Sequence, residues 1–396
     1  MFPQPPNPLP HQPYHPLRWH VYCKVIDNYG DVGVAWRLCC NLADRGQQVQ
    51  LCIDDAQALA WMAPHGHASV QVITGWALPE TQFTTNFDVL IECFGCNINT
   101  LVVANWSRNN LGNNANKLWI NLEYLSAENY AQRNHALRSP VAGLGSADLP
   151  KYFFYPGFVQ GTGGLLREPG LAQRQAAFDR RAWLEEQSAR CEAPSQFGVN
   201  TDHPQHHPQQ LVSLFCYEPA ALPALLNQLA HGPVRTRLLV THGRASLAMR
   251  LALQKITGSE ANPYAHKQLS ISYLPALSQT QYDELLWACD LNFVRGEDSL
   301  VRALWAGKPF VWHIYPQDDN AHHAKLAAFL QWLVADAGWT AFHHAWNGIG
   351  GGPLPPVDLA AWAAIATSAR SGLLKQADLC SQLLDFVAEK RKTALK

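Results

Sequence analysis

The chain has 396 residues, enough for two domains and too many for one of ordinary size. Hydrophobic residues make up 47% and charged residues 15%, and 30 Lys+Arg against 31 Asp+Glu leave a net charge of −1. That balance supplies a large core and excludes the basic field of a nucleic-acid binder and a polybasic membrane patch. No apolar run reaches the roughly 18 residues that a spanning helix needs.

Residues 1–18, MFPQPPNPLPHQPYHPLR, are proline-rich, lack the apolar core of a signal peptide, and read as a disordered leader. A strand–loop–helix rhythm follows. WHVYCKVID (19–27) leads into a helix through Asp44, and QVQLCID (48–54) precedes the helical ALAWMA. SVQVITG, FDVLIECFG (87–95) and KLWINLEYL (117–125) are further strands. A second series runs through LVSLFCYE (211–218), RLLVTHG (237–243), LSISYLPAL (269–277), LNFVRG (291–296) and PFVWHIYP (309–316). These runs are continuous rather than alternating, as parallel strands buried on both faces should be. Two such series predict an α/β protein of two doubly wound, Rossmann-like domains facing a cleft. The first spans 19–165 and the second 166–375. The amphipathic end, 376–396, is expected by fold analogy to pack back on the first domain. The polar stretch 188–210, with His203, His206 and His207, reads as a solvated loop.

The 10 cysteines sit mostly in apolar patterns, as buried reduced thiols do in a cytoplasmic protein. Cys93-Phe-Gly-Cys96 has C-x-x-C spacing, but no second pair follows and buried structural thiols are the better reading. Gly161-Thr-Gly-Gly164 lacks the lysine of a phosphate-binding loop, and no G-x-G-x-x-G follows the first strand. Neither ATP hydrolysis nor a dinucleotide cofactor is favoured.

Two acidic strand tips carry the chemistry. In Asp27-Asn-Tyr-Gly30-Asp31-x-Gly33, Asp31 reads either as the cap of a helix beginning near Val32 or as a working carboxylate. Asp27 ends an apolar strand on the carboxyl edge, where ligands bind in open α/β sheets. The second tip is Arg295-Gly-Glu-Asp-Ser299. Asp298 or Ser299 would cap the helix there, and its free N–H groups with Arg295 would also hold a phosphate. Glu297 is poorly explained by phosphate and suits a sugar hydroxyl. Phe215, Tyr217, Gln279 and Tyr282 combine aromatic faces and an amide, as base recognition needs, although Phe215 and Tyr217 alternate on a strand and pack equally well there. Carboxylates on one lip and a diphosphate site on the other is the layout of a metal-independent GT-B glycosyltransferase. Asp54-Asp55 and Asp318-Asp319 are read as helix caps and not as metal ligands.

DNYGDVGVAWRL, WINLEYLSAE (119–128), PGFVQGTGGLLRE (156–168) and CDLNFVRGEDSLVRALWAGKPFVWHIYPQDDNAH (289–322) resemble the EarP family, which rhamnosylates an arginine of elongation factor P. The resemblance implies an inverting, metal-independent enzyme with dTDP-β-L-rhamnose as donor and elongation factor P as acceptor, activated thereby for translating polyproline stretches. It makes Asp31 the base, Asp27 a second essential acid and Glu297 part of the active centre. Arg295, Asp298 and Ser299, with Tyr29 and Gly30, would surround the diphosphate and sugar. Phe215, Tyr217, Gln279 and Tyr282 would hold the thymidine. Neither a cofactor nor a metal is implied. Glu123, at a strand end, would touch the protein acceptor or make a structural hydrogen bond, and the aromatic lip from Tyr152 to Phe158 would dock a partner. A GT-B transferase or sugar-nucleotide epimerase with a small-molecule substrate, and a non-catalytic nucleotide-binding adaptor, are the alternatives.

Overall fold

The computed structural model describes residues 14–26, 29–75, 86–108, 117–139, 149, 151–190, 210–257 and 267–394. His203, His206 and His207 lie outside them, as do Asp27 and residues 1–13.

The first sheet contains β1 (Arg18–Cys23), β2 (Gln48–Ile53), β3 (Val70–Thr74), β4 (Val89–Cys93), β5 (Leu118–Leu122), β6 (Arg138–Ser139) and β7 (Lys151–Phe154). It is seven-stranded in the order β3-β2-β1-β4-β5-β7-β6, and only the β6–β7 pair is antiparallel. The second contains β8 (Gln210–Leu214), β9 (Thr236–Val240), β10 (Leu269–Tyr273), β11 (Leu291–Arg295) and β12 (Phe310–His313). Its order is β10-β9-β8-β11-β12, and every pair is parallel. The strand order reverses beside β1 in one sheet and beside β8 in the other. A crevice opens at each such switch point, outside the carboxyl ends of the strands. These are the facing Rossmann-like halves of a GT-B protein.

Continuous apolar strands bury both faces, so β4, β5 and β9 have no exposed residue. The Leu379–Ala394 helix repeats apolar residues at Leu379, Leu383 and Val387, one helical face, and that face joins Trp19, Leu38 and Ile120 in the first domain's core. Leu165 already belongs to the second domain's core, whereas Leu166 belongs to the first.

Several boundaries differ from the sequence expectation. β1 ends at Cys23, four residues short of Asp27, and the rest of its apolar run forms the loop that enters the cleft. The expected leader is shorter: Tyr14 Oη donates to Asp385 Oδ1 at 2.8 Å, Leu17 N–H donates to Gln47 Oε1 at 3.0 Å, and Arg18 opens β1. The aromatic lip is divided, with Tyr152, Phe153 and Tyr155 half-buried. Residues 151–154 form β7, which pairs with β5, and Phe154 and Phe158 are buried. Cys93 and Cys96 are buried, and burial raises the Cys96 thiol far from reactivity.

Candidate active site

The Gly30–Asp44 helix begins two residues earlier than the capped start near Val32. Asp31 therefore lies in the first turn and is not the cap. It is buried, and its Oδ2 accepts the Ile26 N–H at 2.9 Å, which ties the carboxylate to the loop that carries Asp27. An acid in this turn is favoured by the free N–H groups and positive dipole end.

On the other side β11 ends at Arg295. Gly296 has φ +62°, a conformation that a Cβ disfavours, and lets the chain turn into the Asp298–Ala306 helix. Glu297, not Asp298 or Ser299, occupies the cap position, and no side chain caps there. Ser299 closes the turn instead: its Oγ accepts the Arg295 N–H at 2.9 Å and its hydroxyl donates to the Arg295 carbonyl.

Arg295 is buried, with its guanidinium 4.5 Å from the Phe215 ring, 4.8 Å from Tyr217 and 5.4 Å from Tyr29. Its Nη1 donates to the Cys216 carbonyl at 3.3 Å, and its buried Nη2 has no hydrogen-bond partner among the described residues. A buried cation with a free N–H donor on a cavity wall is suited to an anion.

The cleft has two lobes meeting at Gly30. One, about 680 Å³ counted out to open solvent, is lined by Tyr29, Phe215, Gln279, Tyr282 and Arg295, with Asp298 and Ser299 at its floor. The other, about 820 Å³, is lined by Asp31, Glu297, Phe94, Tyr124, Tyr315 and Lys325. Tyr217 lines neither. It stands behind Arg295, with its ring centroid 5.2 Å from His313 and 5.6 Å from Tyr315. Gln279 spans the cleft: its Nε2 donates to the Gly33 carbonyl at 3.1 Å. Glu297 Oε2 accepts the Leu125 N–H at 2.7 Å while Oε1 pairs with Lys325. Glu123 accepts from Asn121 Nδ2 at 2.6 Å, and burial raises its carboxyl above the usual range.

Sequence reading missed the charges under this floor. Arg37 Nη1 donates to Glu168 Oε1 at 2.9 Å, and its Nε lies 3.1 Å from Asp298 Oδ1. Arg302 grips Asp283 with two bonds of 2.7 Å and Glu168 with one of 2.6 Å. Burial would raise the Glu168 carboxyl, but Arg302 and Arg37 overrule it and hold it well below the usual range. For Asp298, burial wins over Arg37 and the carboxyl is raised. The available signal was an arginine inside each of two apolar helices, GVAWRLCC and SLVRALWAG. Buried arginines need carboxylate partners.

Among the described residues, no group of three or more His, Cys, Asp and Glu side chains could hold a metal ion. Asp54 accepts the Val25 N–H at 2.9 Å, away from any helix start, and Asp319 the Ala321 N–H at 3.0 Å, while the caps of the nearby helices are Ala58 and Asn320, so neither aspartate is the helix cap expected of it. No helix among the described residues is long and apolar enough to cross a membrane.

Residues 19–388 match the family described as Elongation-Factor P (EF-P) rhamnosyltransferase EarP. A protein-arginine rhamnosyltransferase of Pseudomonas aeruginosa is 40% identical over 350 residues, covering 84% of this chain and 88% of the relative. That of Neisseria meningitidis serogroup B is 34% identical over 321 residues, covering 78% and 77%. A solved structure described as the structural basis for EarP-mediated arginine glycosylation of translation elongation factor EF-P superposes with a TM-score of 0.58 at 26% identity, covering 94% of this chain and 99% of that one. The chain thus belongs to the EarP family and is a protein-arginine rhamnosyltransferase of GT-B architecture.

Proposed function

We propose that this enzyme transfers rhamnose from dTDP-β-L-rhamnose to an arginine of elongation factor P, with inversion and without a metal, in the cytoplasm. The observation that carries the reading is the meeting of two lobes at Gly30, one ending in the anchored Asp31 and the other in the unsatisfied Arg295. The identity of the acceptor protein follows its relatives.

Each side has a separate task. The thymine would stack beside Phe215 and Tyr282, and the diphosphate would take the free Nη2 of Arg295 and the N–H groups of the helix beginning at Asp298. Those donors neutralise charge as it builds on the departing dTDP, so the departure needs no metal ion. The acceptor guanidinium, with a pKa of about 12.5–13.8, is not deprotonated in advance. Asp31, with Asp27 beside it in the chain, would hold the guanidinium by its fork of donors and aim one nitrogen at the anomeric carbon. As the C–N bond forms and the C–O bond to dTDP breaks, the proton on that nitrogen passes to Asp31. A single displacement turns a β-linked donor into an α-linked product. Glu297 lines the same lobe as Asp31 and would contact the sugar.

Intact mass of elongation factor P after incubation with the enzyme and dTDP-β-L-rhamnose tests the whole reading. A single deoxyhexose increment, lost with Asp31→Asn while dTDP still binds, is expected. Asp31→Asn turning over like the native chain removes Asp31 as the base, and no increment with the native chain removes the donor–acceptor pair.

A further inference from the structure

Resting on that reading, we propose that Lys325 is an internal stand-in for the acceptor arginine, occupying a guanidinium subsite built from Glu297 and the face of Tyr124. The substrate must displace it to bind.

Lys325 belongs to the Ala321–Leu333 helix of the second domain, yet its ammonium reaches into the lobe shared by Asp31 and Glu297. There it holds two partners at once. Its Nζ pairs with Glu297 Oε1, and it sits 5.7 Å from the centre of the Tyr124 ring. A carboxylate together with an aromatic face is what recognises a guanidinium, which is planar, stacks well and is more weakly hydrated than an ammonium. Lysine satisfies both partners as a point charge and without stacking.

The aromatic wall is built for a flat ligand. Phe94 and Tyr124 stack with centroids 4.5 Å apart and planes within 14°. Phe94 is held there at φ +58°, in the left-handed region that a bulky side chain avoids. Its N–H is fixed to the Leu122 carbonyl at 2.7 Å. Strain of this kind persists where the surroundings over-determine it, and it collects at binding clamps. Glu297 is equally fixed, because its second oxygen accepts the Leu125 N–H, one residue beyond Tyr124. The wall and the carboxylate are therefore locked together, and the lysine is the movable part: four methylenes joined to a helix across the cleft.

The pair is partly buried, with 18% of each side chain exposed, so the lysine's hold is moderate. It keeps Glu297 from lying unpaired before the acceptor arrives, and it exacts a competition that only a better cation wins. A guanidinium stacked on Tyr124, giving one N–H to Glu297 Oε1 beside the fork it gives Asp31, is such a cation. A single lysine ammonium on an acceptor gains nothing over the one already present.

Steady-state kinetics with elongation factor P as acceptor, run with native enzyme, Lys325→Met and Tyr124→Leu, tests this. The affinity of each for dTDP is measured beside it to verify the fold. Lys325→Met should lower the acceptor KM about five-fold, the size of a lost competing ion pair. Tyr124→Leu should raise it by about as much or more, while dTDP binding is retained. A higher acceptor KM in Lys325→Met would make the lysine a support for Glu297 and overturn the proposal, as would native acceptor KM in Tyr124→Leu. Should either variant fail to bind dTDP, Lys325→Arg serves, and it must raise the acceptor KM because it competes with the same chemistry. If the native enzyme does not modify elongation factor P, the functional reading fails first. The subsite is then tested alone by competition between arginine ethyl ester and lysine ethyl ester, of which only arginine should shift the Tyr124 environment.

Discussion

Removing Arg37 is the sharpest perturbation of the cleft floor. Arg37, Arg174 and Arg302 stand against Glu168, Asp283 and Asp298, so the set is neutral as it is built. Glu168 and Asp283 each keep Arg302 when Arg37 is lost, whereas the ion pair of Asp298 is the one with Arg37. The uncompensated charge therefore falls on Asp298. Breaking a buried pair from one side costs about 3–5 kcal/mol, and Arg37→Met should lose that much. Asp298→Asn is milder, about 1–2 kcal/mol, since Arg37 still donates to Glu168 at 2.9 Å.

The double variant separates this account from simple loss of packing. With both charges gone the burial penalty disappears, so the double should be about 2 kcal/mol more stable than the sum of the two single changes. Urea unfolding followed by tryptophan fluorescence at neutral pH measures all three. Strict additivity, or an Arg37→Met cost below about 1 kcal/mol, refutes the reasoning. The same pair joins the helix that carries Asp31 to the helix start facing the proposed donor site. Transfer should therefore fall in Arg37→Met even at a temperature where it is fully folded.

Arg295→Met removes the buried cation with the unpartnered Nη2, and dTDP affinity by calorimetry should drop by about 1.5–3 kcal/mol, with thymidine affinity changing far less. Equal losses for both ligands would place Arg295 at the base. A second expectation concerns acid. His343 is fully buried, accepts the Trp312 N–H at Nε2 and faces the Trp339 carbonyl at Nδ1, so its neutral form is required, and burial pushes its pKa down to about 4. Burial pushes His313 down to about 3. The folded values are depressed, so stability is intact above about pH 6.5 and falls as the pH drops toward 4; His343 alone should remove about 2 kcal/mol by pH 5. Urea midpoints equal at pH 7.5 and pH 5 contradict this.

The architecture was legible because parallel strands buried on both faces write themselves as uninterrupted apolar runs, and each of the ten expected runs contains a strand at nearly the same place. One of them, SVQVITG, holds β3, an edge strand that is partly exposed. Strand ends were not legible. Val25 and Ile26 are as apolar as Val21, but Val25 donates its N–H to Asp54 instead of to a neighbouring strand. The cleft residues on strand tips could be found, since Asp31, Phe215 and Arg295 stand at predictable carboxyl ends. Lys325 and Tyr124 could not. They lie 201 positions apart in sequence and meet only because the two sheets face each other. The network of Arg37 was half written: a charge inside an apolar helix announces that it has a partner and does not say which.

The two helix starts invite a last question, whether Asp31, the proposed base, would work by basicity or by position. Glutamate has the slightly higher reference pKa, about 4.3 against 3.9, so Asp31→Glu would speed a step limited by basicity. Both values lie so far below that of a guanidinium that no carboxylate removes its proton in advance, and the transfer must accompany bond formation. Position should then dominate. Asp31 is anchored by the Ile26 N–H at 2.9 Å, and a side chain one methylene longer cannot keep that bond and leave its other oxygen in the same place. A displacement of about 1 Å at the reacting atoms is worth roughly 100-fold. Asp31→Glu should therefore lower kcat by about that factor while dTDP affinity holds, since Asp31 lines the other lobe. Turnover within a few-fold of native would show that the loop from Ile26 to Gly30 follows the carboxylate. Proton affinity and not the anchored geometry would then set the rate.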